Sequence, residues 1–459
     1  MSITATLARF AAQLRYEDIG EDAREYCKDL LLDAFACAVA GHTGEETHQV
    51  EALAAALAQS AESSVIGGGH LSLAGATLFN GYLITAVTMC DVHRPTLTHI
   101  TPEVVPPALA VAERDGTSGR DLLVALASGF ETTTRVGIGL DFPAFRARGW
   151  HGPGVIGPFG AAAAVGRLRG FDADTMARAF GLAGSQAAGT FAAWGTPTVK
   201  FHQCRGALSG LMAALLAEQK FVATREFLTA ADGGLYSTYT NGGKPDAVTA
   251  DLGKRWELGQ VALRLWPSAS TVQGVITAMF DLVENHPLPP ERVKRLRVAV
   301  GKTAFDMHGI FPRYQGKFEA LLSIHYAAAV ILHERRLTLA QFEPARYNDP
   351  LLSTFAAERV EVVCDPALAG IQSVIEAETT DGQHVSVRCD HARGSPENRL
   401  TRSELENKFR TYAEPRLGSV AVEQVIRAVA DLETLDSVRR LTDLLRTGRE
   451  APRRKSAVA

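Results

Sequence analysis

The run Glu21-Asp22-Ala23-Arg24-Glu25-Tyr26-Cys27-Lys28-Asp29-Leu30-Leu31-Leu32-Asp33-Ala34-Phe35-Ala36-Cys37-Ala38-Val39-Ala40-Gly41 carries apolar side chains at Ala23, Cys27, Leu30, Leu31, Ala34 and Ala38. Steps of three and four residues put them on one helical face. Gly41 reads as the C-cap. The same periodicity recurs over 46–59, 72–90, 104–114, 119–137, 155–168, 173–189, 206–219 and 224–228. These segments are dense in Ala and Gly rather than Leu and Phe. Small side chains let helix axes approach closely, so residues 1–257 are predicted to form a tightly packed, all-helical bundle domain.

The pattern changes near Leu258. Leu296, Val298 and Val300 alternate with Arg295, Arg297 and Ala299, and Val360, Val362 and Cys364 keep the same two-residue step, as half-exposed strands do. Residues 373–378 and 384–389 flank Thr379-Thr380-Asp381-Gly382, a hairpin signal. With helices predicted over 268–285 and 323–333, residues 258–400 read as a smaller α+β lid domain. From Thr401 the chain returns to helix, with Thr401 or Ser403 as N-cap and Glu404 in the first turn. Residues 401–459 therefore return to the helical domain and the lid is an insertion. The fold class is mostly α.

With 46% hydrophobic residues in a 459-residue chain, a large core is available and two domains are expected. A net charge of −4 gives no electrostatic footprint for nucleic acid. The short basic run Arg453, Arg454 and Lys455 reads as a frayed terminus. Cysteines 27, 37, 90, 204, 364 and 389 lie far apart with no C-x-x-C pair, which suits reduced thiols. No signal peptide and no bilayer-length apolar run is evident, so a cytoplasmic protein without a membrane partner is expected.

Three polar islands interrupt the helical pattern. Cys90-Asp91-Val92-His93-Arg94-Pro95-Thr96-Leu97-Thr98-His99-Ile100-Thr101-Pro102 holds one carboxylate, two imidazoles, one guanidinium and three hydroxyls. Gly149-Trp150-His151-Gly152-Pro153-Gly154 and Lys200-Phe201-His202-Gln203-Cys204-Arg205 each open a helix. Polar groups are costly to bury without partners, so such islands are either solvated or gathered for a purpose. Gly67-Gly68-Gly69 and the glycines from Gly157 to Gly160 follow no predicted strand and are not phosphate loops. No G-x-S-x-G elbow is present.

An ordered set of segments resembles the MmgE/PrpD family across essentially the whole chain. These are Asn80-Gly81 with Asp91, His99 and Val105-Pro106; Gly149-Trp150-His151 before Gly160 to Ala164; Gly195-Thr196 before Lys200 and Gly210; Ser323-Ile324-His325-Tyr326-Ala327; and Leu400-Thr401 with Lys408-Phe409-Arg410. The resemblance implies a helical large domain, an α+β lid, a homodimer and neither metal nor organic cofactor. Its members include 2-methylcitrate dehydratase, cis-aconitate decarboxylase and iminodisuccinate epimerase, all handling small di- or tricarboxylates. It implies a lyase that dehydrates or decarboxylates such an anion, with epimerisation or non-catalytic anion binding as alternatives. Such reactions build carbanion-like charge beside a carboxylate, which calls for a histidine acid–base group and for Lys or Arg to hold carboxylates.

Carried over position by position, the resemblance implies that Asp91, His99, His151, Lys200 and Tyr326 line the site. Arg264 stands where the family usually has lysine. Other departures are Met89 in place of an acid, Val92 and His93 in place of Asp and a hydroxyl residue, Ala269 in place of His or Cys, and one residue fewer between Lys200 and Gly210. His93 reads as a second proton carrier or as a surface residue. Each candidate has a plainer reading. His99 suits a hydrogen-bonded loop residue and His151 a helix cap, Lys200 a solvated lysine, Arg264 a snorkelling strand residue, and Tyr326 core. Arg135 could only pair with Glu131. His202, Cys204 and Arg205 lack a second pair at zinc spacing and read as packing and helix-start residues.

Overall fold

In the computed structural model the helix that opens at Glu21 runs through Gly41, with Gly20 and His42 flanking it. Gly41 is thus its last helical residue and not the expected C-cap. A Cβ at Gly41 would collide with the backbone of Leu83, so the glycine serves the crossing with the helix Leu73–Ala86. The structure describes residues 2–310 and 312–447; the basic run Arg453, Arg454 and Lys455 lies outside them.

Residues 2–86, 93–259 and 405–447 form one unit; Val87–Val92 and Gln260–Glu404 form the other. The first is helical. The helices Thr101–Asp115, Gly119–Ile138, Gly152–Leu168 and Thr198–Glu218 pack on one another at its centre. Glycine allows the closeness. A Cβ at Gly160 would collide with the Thr133 hydroxyl and sit 2.5 Å from the Gly129 carbonyl oxygen; one at Gly210 would sit 2.5 Å from the Pro158 carbonyl oxygen. Helix on helix at such distances maximises dispersion contacts and leaves no room for extra methyl groups.

Several predicted boundaries move. The helix predicted over 72–90 stops at Ala86, and Thr88 adopts a left-handed conformation with φ +55°. The one predicted over 173–189 stops at Gly184. Residues 224–228 form no helix: the Thr224 carbonyl lies against Gly181 and the Phe227 ring against Gly184, so packing overrides helical spacing. The C-terminal return is the helix Arg402–Leu417, opened by a reciprocal cap in which the Thr401 N–H donates to Glu404 Oε2 at 2.7 Å. Within the first unit it is anchored by Lys408, whose ammonium meets Asp33 at 2.5 Å with both side chains 1% exposed or less.

The second unit is built on a four-stranded sheet. Strand β1 (Val293–Val300) lies between β2 (Val360–Cys364), which is parallel to it, and the antiparallel β3 (Ser373–Thr379), with β4 (His384–Cys389) outside β3. Val298 sits opposite Val362 and Ile375. Leu296, Val298 and Val300 are buried with the helices Gln273–Asn285 and Ile324–Glu334, while Arg297–Glu376 and Lys294–Glu378 pair across strands on the other face. The β3–β4 hairpin closes with Thr379 N–H on the Gln383 carbonyl and Gly382 at φ +84°. Among the described residues no helix is long and apolar enough to cross a membrane.

Candidate active site

The first island folds as a tight turn. His93 N–H donates to the Thr98 carbonyl at 2.7 Å and Thr96 N–H to the His93 carbonyl at 3.3 Å. Leu97 sits at φ +47°, a strained conformation for a branched-chain residue and one that concentrates at functional sites. The turn is packed against neighbouring helix starts. A Cβ at Gly152 would lie 2.6 Å from the Thr98 hydroxyl, and one at Gly137 would lie 3.0 Å from the Thr96 methyl.

His93 is fully buried, which excludes the surface reading. Its Nδ1 pairs with the Thr96 hydroxyl at 2.8 Å and its Nε2 faces Glu257 at 3.4 Å. Burial lowers its pKa, and the bond to Glu257 opposes the shift. Glu257 leads into a second buried network. Its own N–H donates to Glu131, which pairs with Arg135 at 2.5 Å, both side chains fully buried. Arg135 also donates to the carbonyls of Val248 and Ala250. Both ring nitrogens of His93 are therefore committed within the fold, where they hold the turn that precedes His99.

His151 occupies the N-cap position of the helix Gly152–Leu168 but its side chain makes no capping bond. It turns instead to His202, Nδ1 to Nδ1 at 3.0 Å, with ring centroids 5.2 Å apart and each residue 9% exposed. The Phe191 and His151 rings meet edge to face with centroids 5.9 Å apart, Phe191 stacks on Trp194, and the Arg146 guanidinium lies over the Phe191 ring. Burial, then the charges of His202, His99 and Arg146, push the His151 pKa down to about 3. The imidazole is neutral at pH 7, and of these neighbours Arg146 carries a permanent positive charge.

His99 is half-buried and close enough to act on His151. Lys200 is 7% exposed, and its ammonium donates to the Ala86 carbonyl at 2.6 Å, the end of the helix Leu73–Ala86. Lys200 and His202 are two residues apart on one helix and so point to different sides. The remaining candidates belong to the second unit. Asp91 is fully buried in the segment Val87–Val92. Arg264 Nε donates to the carbonyl of Cys90, in that same segment, at 2.6 Å, and Nη1 to that of Ser268 at 3.0 Å. Tyr326 is fully buried among apolar side chains, its hydroxyl donating to the Gln341 carbonyl.

His202 and Arg146 are what the sequence reading passed over. His202 reads from the sequence as a packing and helix-start residue, because its partner lies 51 residues away, a separation with no spacing signature. Among the described residues no group of three or more His, Cys, Asp or Glu side chains is arranged to hold a metal ion.

These features define a helical protein with an inserted α+β unit and, in its helical part, an imidazole pair set among cationic groups. The chain belongs to the MmgE/PrpD family: the family's N-terminal domain matches residues 5–247 and its C-terminal domain residues 266–434. Among its relatives is the cis-aconitate decarboxylase-like protein oryM of Aspergillus oryzae, 29% identical over 97% of each chain. The cis-aconitate decarboxylase of Aspergillus terreus is 28% identical over 96% of this chain and 94% of its own. The human cis-aconitate decarboxylase is 26% identical over 97% and 95%.

Proposed function

We infer that this chain is a lyase that removes CO2 or water from a small di- or tricarboxylate by imidazole acid–base chemistry. The observation that carries the reading is His151, held neutral by burial among His202, His99 and Arg146. An anionic substrate beside it would favour the protonated ring against burial and lift the imidazole towards the range where it exchanges protons at neutral pH. His151 and His99 are the acid–base groups of this proposal, and the buried ammonium of Lys200 supplies a cation for a substrate carboxylate. Relatives named as cis-aconitate decarboxylases, matched over nearly their full length, support a lyase and favour decarboxylation. The homodimer belongs to the same proposal and is checked by analytical ultracentrifugation.

The test is incubation with cis-aconitate, citrate, methylcitrate and iminodisuccinate in D2O, read by proton NMR. Loss of a substrate carboxyl carbon, or a new vinyl signal, is the expected result. Deuterium incorporation without net product would replace the lyase with an epimerase, and no change in any of the four acids would overturn the reading.

A further inference from the structure

The contact between His151 and His202 constrains both rings. Two imidazole nitrogens 3.0 Å apart form a hydrogen bond only when one carries a proton and the other a lone pair. A neutral ring protonated at Nδ1 is bare at Nε2, and the reverse. The tautomer of His202 therefore fixes that of His151. With the proton on Nδ1 of His202, His151 presents an N–H at Nε2 and is an acid; with the proton on its own Nδ1, His151 presents a lone pair at Nε2 and is a base.

The surroundings hold this pair in register. Gly189 accepts a hydrogen bond from the His151 N–H at 3.0 Å, and a Cβ on Gly189 would lie 3.0 Å from Nδ1 of His202. At φ +134° the position also demands glycine. Arg205, one turn along the helix from His202, fastens the segment that carries Gly189, donating to the carbonyls of Gln186 at 2.9 Å, Ala188 at 2.8 Å and Gly154 at 3.0 Å. Burial lowers the pKa of both rings, with Arg146 adding to the shift at His151 and Arg205 at His202.

We propose that His202 is the proton-relay partner of His151, exchanging a proton through the Nδ1–Nδ1 contact and so setting whether His151 meets its substrate as acid or base. This rests on the acid–base role of His151 proposed above. In the forward sense Nε2 of His151 takes a proton from a substrate carbon, whose C–H electron pair stays on that carbon beside its carboxylate. The Nδ1 proton of His151 passes to Nδ1 of His202. His151 ends neutral, now protonated at Nε2, and His202 ends as an imidazolium. The reverse sequence delivers a proton to carbon after CO2 has left. His202 touches His151 rather than the substrate and is a positioning residue.

Two isosteric replacements separate a relay from packing. The amide of His202→Asn can donate to Nδ1 of His151 or accept from it, but it cannot take up a proton, so it keeps the contact and blocks the transfer. The carboxylate of His202→Asp accepts from Nδ1–H of His151 and leaves Nε2 free to take up and release a proton. Nitrogen-15-resolved imidazole spectra of the unliganded protein should show one Nδ1 protonated and the other bare in wild type. They should show the His151 proton on Nδ1 in the Asp variant, held there by the carboxylate. With cis-aconitate as probe, turnover in the Asn variant should fall by about 10²- to 10⁴-fold, the range of general acid–base catalysis, at nearly unchanged KM. The Asp variant should exceed it by at least about tenfold. A His151 proton on Nε2 in the Asp variant, or equal turnover of the two variants with equal melting temperatures, would overturn the relay. If wild type transforms none of the four acids, the lyase reading fails and the spectra still decide the tautomer coupling. Should either variant not fold, the wild-type spectra decide alone: two bare or two protonated Nδ1 atoms refute the proposal.

Discussion

Replacing Lys408 by Met should destabilise the helical unit by about 4 kcal/mol at pH 7, and by much less in acid. Lys408 and Asp33 meet at 2.5 Å with essentially no solvent contact; burial pulls the ammonium's pKa down, but its neighbours, Asp33 foremost, leave it raised. Without the ammonium, Asp33 has two courses. It can remain charged, and an uncompensated buried charge costs about 3–5 kcal/mol. Or it can take a proton, which for a carboxyl of ordinary pKa near 3.9 costs about 1.4 kcal/mol for each of roughly three pH units, or about 4 kcal/mol at pH 7. The protonation route caps the penalty and makes it pH-dependent, so at pH 5 it should shrink to about 1.5 kcal/mol. The double variant Lys408→Met with Asp33→Leu should recover most of the loss, because apolar replacements of a buried pair are often neutral. The assay is urea unfolding followed by far-ultraviolet circular dichroism at both pH values. A penalty under about 1 kcal/mol at pH 7, or one that does not shrink by pH 5, would refute the reasoning.

His151, His308 and His325 have folded pKa values pushed by burial to about 3, about 4 and about 4, against about 6.5 unfolded. Above pH 6.5 they contribute a constant stability; below it the unfolded chain binds protons that the folded chain refuses. Unfolding free energy should thus fall by up to about 1.4 kcal/mol per histidine per pH unit between pH 6.5 and 4, and a flat profile would contradict these burials. Gly160→Ala should cost about 1–3 kcal/mol or more by forcing apart the helices that meet at Thr133 and Gly129, measured as a lowered urea midpoint at unchanged slope. On whichever acid is turned over, His99→Ala should abolish kcat with affinity within a few-fold, whereas Lys200→Ala should raise KM at a loss of about 2–4 kcal/mol. Near-full kcat in His99→Ala would leave His151 as the acid–base group.

Periodicity and residue size carried the fold. The alternation from Leu296 to Val300 and the Asp381-Gly382 turn are local signals, and the strand and hairpin formed there. Residues 224–228 had helical spacing yet no helix, because their conformation depends on Gly181 and Gly184, some forty residues earlier. Gly41 looked like a cap because spacing cannot distinguish a glycine that ends a helix from one that lets a second helix cross. In the site, Glu131 and Arg135 were readable as a pair because four residues is one helical turn. The partners of His93 and His151 were not. Glu257 lies 164 residues from His93, and only the folded chain brings them within reach.

Six residues in the middle of the helical sequence, Val87–Val92, belong structurally to the other unit, and the Cys90 carbonyl receives the Arg264 guanidinium there. The α+β unit is therefore not a cassette that could be lifted out between residues 260 and 404. A fragment cut at those points would leave the buried Arg264 without that carbonyl, and the helical remainder would keep a stub of foreign core. Any exchange of this unit between relatives has to carry both pieces together: the long insertion, and the short loop encoded some 170 residues before it.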